Sequence, residues 1–189
     1  GVDPGDIRFV SAIGLHRTQT DEERAGLIGE RLAGRFQVVD HDPNDESALV
    51  SMGTTSRGTP IQINRTAMES DHIVLTGCCT YHPFYGWAGG KKSLAPGIAG
   101  FETVQYNHRM VLADEVGRGQ RPEARNGNIK NNPVNADADE IAAMVKPSFL
   151  FNVIMGYDGL ILDAVAGDVF EAHARGRDLV AGLYGVPIE

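Results

Sequence analysis

His72-Ile73-Val74-Leu75-Thr76-Gly77-Cys78-Cys79-Thr80-Tyr81-His82-Pro83-Phe84-Tyr85-Gly86-Trp87-Ala88-Gly89-Gly90-Lys91-Lys92-Ser93-Leu94-Ala95-Pro96-Gly97 decides how the chain reads. It opens on an apolar, β-rich run, residues 72–76, and passes into a loop of aromatic, glycine and lysine residues. A buried strand feeding a glycine-rich loop is a unit of α/β architecture, in which ligands gather at strand ends. The segments on either side repeat the theme. Residues 7–13 predict a strand ended by Gly14. Thr20-Asp21-Glu22-Glu23 fits a capping box, and the helix it starts places Ala25, Ile28 and Leu32 at helical spacing before Gly34. Strands are predicted at 36–39 and 48–52. Residues 60–64, with Ile61 and Ile63 alternating against Gln62 and Asn64, complete a hairpin with the preceding segment.

Downstream, a helix is expected from Phe101 through Asn107 and His108 to Asp114. A polar, glycine-rich loop follows at 117–133, then a helix at 135–145 stopped by Pro147. Strands at 149–154 and 160–165 flank Gly156-Tyr157-Asp158-Gly159, and Asp168 caps a last helix with Glu171 three residues on. The alternation predicts a layered α/β domain with a mixed or mostly parallel sheet flanked by helices.

Composition narrows the function classes. The chain has 189 residues, 42% hydrophobic and 22% charged, with a net charge of -8. That is enough chain for one self-sufficient core. The acidic balance disfavours a nucleic-acid phosphate partner. No apolar run approaches the roughly 20 residues of a membrane-spanning helix. The two cysteines, Cys78 and Cys79, are adjacent, which excludes a disulfide framework and a CxxC zinc site and points to a reducing, cytoplasmic setting. The opening residues show no signal-peptide pattern. Both ends, Gly1-Val2-Asp3-Pro4-Gly5 and the extended run Gly185-Val186-Pro187-Ile188-Glu189, read as cuts through a longer protein.

Six histidines are present, at 16, 41, 72, 82, 108 and 173. His16 follows the first strand directly and His82 follows the 72–76 strand. An imidazole at a strand end, with an ordinary pKa of about 6.5, can give or take a proton near neutrality. His41 and Asp42 read as turn residues, and His72 and His173 as structural. Cys78 and Cys79 are expected to pack behind the strand. Gly90-Lys91-Lys92-Ser93 fails the phosphate-loop pattern because Lys91 stands where a glycine is required, and GxGxxG, HExxH and Gly-x-Ser-x-Gly motifs are absent. Gly89 and Gly90 still let backbone approach a ligand, and a lysine amine in such a loop is a candidate covalent attachment point.

In this order, Gly14-Leu15-His16-Arg17, His41-Asp42, residues 53–64, Tyr81-His82-Pro83-Phe84, Gly89-Gly90-Lys91-Lys92, Pro96-Gly97 and Asn107-His108 resemble the nickel-pincer lactate racemase family. The likeness runs from about residue 5 to the end. The spacings agree with it: 66 residues from His16 to His82, 10 from His82 to Lys92 and 16 from Lys92 to His108. The resemblance implies a nickel-pincer nucleotide cofactor, a Ni(II)-pyridinium-3,5-bisthiocarboxylic acid mononucleotide joined to Lys92 as a thioamide. It makes His108 the nickel ligand and His16 and His82 the acid/base pair for a small 2-hydroxy acid. Lys91 takes the variable position of the family pattern. Read this way, residues 1–189 form a single cofactor-tethering domain of a two-domain protein. The family's phosphate-binding arginine and aspartate lie upstream, and the lysine and aromatic residues of its second, C-terminal domain downstream. The resemblance leaves room for a homo-oligomer and leaves the particular 2-hydroxy acid open. Two other readings stay on the page. One is a cofactor-free binding domain of the same fold. The other is an enzyme using Lys92 as a Schiff-base nucleophile on a carbonyl substrate.

Overall fold

The computed structural model describes residues 1–186. The end of the 185–189 run, Pro187-Ile188-Glu189, lies outside the described residues. In chain order the strands are β1 (Phe9–Ser11), β2 (Val38–Asp40), β3 (Leu49–Thr54), β4 (Pro60–Asn64), β5 (Val74–Cys78), β6 (Thr80–His82), β7 (Gly86–Ala88), β8 (Phe149–Met155) and β9 (Ile161–Gly167). The helices are α1 (Asp21–Ile28), α2 (Glu30–Ala33), α3 (Arg65–Met68), α4 (Phe101–Arg109), α5 (Pro133–Val145) and α6 (Val169–Tyr184).

Local chemistry sets most boundaries. Thr20 accepts from the Glu23 amide while the Glu23 carboxylate accepts from the Thr20 amide, the reciprocal box expected from the sequence. Asp168 caps α6 by accepting from the amides of Phe170 and Glu171. The first helix is shorter than expected. It breaks at Gly29, whose φ of +79° is outside helical space, and α2 continues for four residues. The α4 helix ends at Arg109 instead of reaching Asp114. The 81–97 loop contains more regular structure than its composition suggests. It forms the β6–β7 hairpin, stiffened by Tyr81 stacked on Trp87 at 4.4 Å, and then a 3-10 turn, Gly90–Ser93.

The mixed α/β layering holds, but the strands divide into small sheets. β1 and β2 pair in parallel, β3 and β4 form the expected antiparallel hairpin, and β5-β8-β9 is a mixed three-stranded sheet with β5 parallel to β8. One face of that sheet, through Leu75, Leu150, Ile154 and Val165, joins Val169, Ala172 and Val180 of α6 in the main core with Ile61, Ile63, Leu94 and Ile141. Burying each Leu, Ile or Val side chain of this core contributes roughly 1.5–3 kcal/mol. A smaller core of Tyr85, Val111, Ala124, Val134 and Ala138 joins the β6–β7 turn to α5. Among the described residues, no helix is long and apolar enough to cross a membrane.

Candidate functional site

The free edges of β1 and β5 border a groove of about 1030 Å³. His16, Lys92 and His108 all line it. His82 is not among the lining residues but joins the group through Tyr85. The Tyr85 ring lies 5.3 Å from the His82 ring and 5.7 Å from the His108 ring, and the Lys92 ammonium sits 4.6 Å above its face. A smaller cavity of about 420 Å³, bordered by Arg24, Phe36 and Asp40, is lined by none of the four.

Each position has a local cause. Gly14, with φ of +58°, turns the chain after β1 and donates from its amide to the Gly97 carbonyl at 2.9 Å, while the Gly97 amide donates to the Lys92 carbonyl at 2.9 Å. These two bonds tie the exposed His16 turn to the lysine turn. Gly89 and Gly90 are held against the β8 residue Asn152, whose Oδ1 accepts from the Gly90 amide at 2.7 Å. A Cβ on Gly90 would lie 2.6 Å from the His173 ring, so only glycine permits this approach.

The two lysines diverge because a 3-10 turn rotates the chain by about 120° per residue. Lys91 is buried, pairs with the Asp139 carboxylate and donates to Asn135 at 2.9 Å. Lys92 instead faces the groove, and no carboxylate pairs with it among the described residues. Burial pushes its amine down to about 8. Burial also lowers His82 to about 4, with Lys92 and His108 adding repulsion, so that ring is neutral at physiological pH. His108 is lowered by burial and by Lys92, with the Val104 carbonyl opposing. The His108 Nδ1 lies 3.0 Å from that carbonyl, an arrangement that places the proton on Nδ1 and presents Nε2 as a donor atom for a metal.

Tyr85, Asn107 and Asp137 support the site without having been singled out as functional in the sequence. The fully buried Tyr85 phenol donates to Asn107 Oδ1. Asn107 Nδ2 donates to Asp137 at 2.9 Å, and Asp137 also accepts from Thr55 at 2.6 Å and Thr59 at 3.0 Å. The signal for Asp137 was available: it lies three residues after Val134 and four before Ile141, on the buried stripe of α5, where a carboxylate needs partners. His41 corrects the turn assignment. Its ring is buried between the Ala99 carbonyl at 2.9 Å and Asn64 at 3.2 Å, where it acts as a structural clasp. His173 is structural as expected, bonded to the Ala88 carbonyl at 2.9 Å, and Cys79 is buried while Cys78 is half-buried.

Among the described residues, no three His, Cys, Asp or Glu side chains converge on a metal position. A metal at His108 would therefore take its other donors from a cofactor. A free amine and a free imidazole nitrogen in one groove fit a tethered metal-bearing group.

Comparison with known proteins places the chain in a family. The chain is 35% identical over 181 residues to lactate racemase of Lactiplantibacillus plantarum, covering 96% of this chain and 41% of that protein. It is 32% identical over 178 residues to lactate racemase of Thermoanaerobacterium thermosaccharolyticum, covering 94% of this chain and 40% of that one. The apoprotein structure from the latter organism superposes with a TM-score of 0.86 at 32% identity, over 93% of this chain and 41% of that chain. A Thermotoga maritima protein shares the fold, with a TM-score of 0.70 at 22% identity over 92% of this chain and 45% of that one. The chain thus spans about two fifths of the length of the curated relatives it matches. Residues 1–119, which include His16, His82, Lys92 and His108, match the lactate racemase N-terminal domain, and the chain belongs to that family.

Proposed function

We propose that this chain is the cofactor-tethering part of a 2-hydroxy acid racemase or epimerase of the lactate type. Lys92 is the attachment point of a nickel-pincer nucleotide, His108 holds its metal, and His16 and His82 are the imidazoles that serve the substrate. The observation that carries the reading is the meeting, in one groove, of a lysine amine with no carboxylate partner among the described residues and a histidine whose Nε2 is left open by the Val104 bond.

When bound, the group supplies a hydride acceptor for the C2 hydrogen of the substrate. The protein's part is to orient the substrate and manage the hydroxyl proton. As the C2 hydrogen leaves with its electron pair, the hydroxyl proton passes to a neutral imidazole, giving a planar 2-keto acid. Reversal on the other face returns both hydrogens and inverts the centre. Half-burial of His82 and His108 lowers the local dielectric and strengthens their polar interactions. Two free thiols, Cys78 and Cys79, accord with a reducing, cytoplasmic setting.

The test uses the full-length protein produced with the cofactor-synthesis enzymes and presented with single enantiomers of a panel of 2-hydroxy acids. Interconversion by chiral chromatography, with a mass adduct that Lys92→Ala removes, is the expected result. An adduct that survives Lys92→Ala reassigns the tether, and no interconversion across the panel refutes the activity. The lowered Lys92 amine also favours a second reading, a Schiff-base enzyme acting on a carbonyl substrate. Borohydride trapping of a keto acid on Lys92 in cofactor-free protein would support that reading instead.

A further inference from the structure

The groove is built without acid. Asp and Glu supply 25 residues and leave the chain with a net charge of -8, yet among the described residues that line the groove there is no carboxylate. Its charged side chains are Arg8 and Lys92, both cations. A cleft of that sign attracts anions and disfavours cations. Two carboxamides also line it, Gln19 just past the His16 turn and Gln105 on α4. Gln105 lies three residues before His108, one helical turn away, so the two side chains share a face of the helix.

The two carboxamides are held differently. Gln19 is pinned along its length. Its backbone amide donates to Asp40 at 2.6 Å, its carbonyl accepts from the Arg24 guanidinium at 2.6 Å, and its side-chain Oε1 accepts from the Ser11 hydroxyl at 2.6 Å. With Oε1 engaged, the group that remains for a ligand is the Nε2 pair of N–H donors. Gln105 is exposed on the groove wall, where its carboxamide can turn the same donors toward a ligand.

We propose that Gln19 and Gln105 select the substrate, and that they select a short 2-hydroxy acid carrying a second carboxylate beyond C2. The proposal rests on the racemase reading above and names the substrate class of that site. The C1 carboxylate, the C2 hydrogen and the hydroxyl are common to every 2-hydroxy acid and are engaged at the reacting centre. What distinguishes one such acid from another is the group on C3. A plain methyl there would leave the carboxamides facing carbon, stripped of water and without a partner, which penalises the fit. A second carboxylate offers acceptor lone pairs to N–H groups from both residues, and charge-assisted bonds of this kind are the stronger sort. The acid-free lining lets the doubly charged molecule enter.

Malate is lactate with a carboxylate added at C3, so the pair isolates the second group. Full-length, cofactor-free protein carrying nitrogen-15 glutamine is titrated with each acid against matched chloride, and the side-chain amide signals of residues 19 and 105 are identified with Gln19→Leu and Gln105→Leu. Malate should shift both signals with a midpoint about tenfold or more below that of lactate, the scale of one hydrogen bond to a charged group. Equal midpoints, or no shift at these two residues, overturn the proposal. In cofactor-loaded protein, kcat/KM should favour malate over lactate, and Gln105→Leu should lower that ratio by about tenfold or more, mainly through KM. An unchanged ratio overturns the proposal. Equal proportional losses for both acids, which would assign the carboxamides to the C1 carboxylate that the two share, overturn it as well. Turnover of lactate with malate idle overturns the substrate class and leaves the racemase reading standing. If no 2-hydroxy acid interconverts, the racemase reading fails, and the titration still decides whether the groove selects a second carboxylate.

Discussion

Competitive acetylation with trace acetic anhydride tests the lysine turn most directly. At about pH 7.5, an amine lowered to about 8 is roughly one quarter neutral, whereas a lysine at its ordinary value is roughly one thousandth neutral. The difference in nucleophilic fraction is on the order of 200-fold. Half-burial and lower intrinsic basicity offset part of it, leaving Lys92 expected to label about tenfold or more faster than the exposed Lys130 and Lys146. Lys91 should label slowest, because its amine is buried and paired with Asp139. Peptide mass spectrometry of cofactor-free protein gives all the rates in one digest. Should Lys92 label no faster than Lys130, or Lys91 label first, the assignment of Lys92 as the reactive amine is wrong.

Asp137→Ala removes one acceptor from three buried donors and is expected to destabilise by about 3–5 kcal/mol, read as a lower urea midpoint; a loss below about 1 kcal/mol would mean that the network is not a structural anchor. Burial holds His173 at about 4 in the folded state, against about 6.5 unfolded, so the unfolded chain binds the extra proton between those values. Stability should therefore fall as pH drops from about 7 towards 4, by about 3 kcal/mol from this residue, and His173→Gln should flatten that slope in denaturation measured across the range. Gly90→Ala should destabilise by about 3 kcal/mol or more by calorimetry, since φ is +58° and the new methyl meets the His173 ring; normal stability would show that the turn can move aside. Tyr85→Phe keeps the ring under Lys92 and should cost about 1–2 kcal/mol for the lost phenol bond, with Lys92 labelling little changed, whereas Tyr85→Leu should alter that labelling.

The sequence by itself determined what depends on neighbours along the chain. Thr20 and Glu23 form their box, Asp168 caps its helix, and Ile61 and Ile63 alternate into the core, because each feature needs contacts only a few residues apart. The motif order also placed the four candidate residues in one family. The tertiary structure alone decided the rest. Which lysine faces the groove depends on Asp139 and Asn135, more than forty residues away in the chain. His41 became a buried clasp because Ala99 and Asn64 fold over it. The Tyr85 ring became a common support because Asn107 of α4 accepts from its phenol and is itself held by Asp137 of α5. A side chain's charge and direction follow from what surrounds it in space, and the partners that surround these residues come from distant parts of the chain.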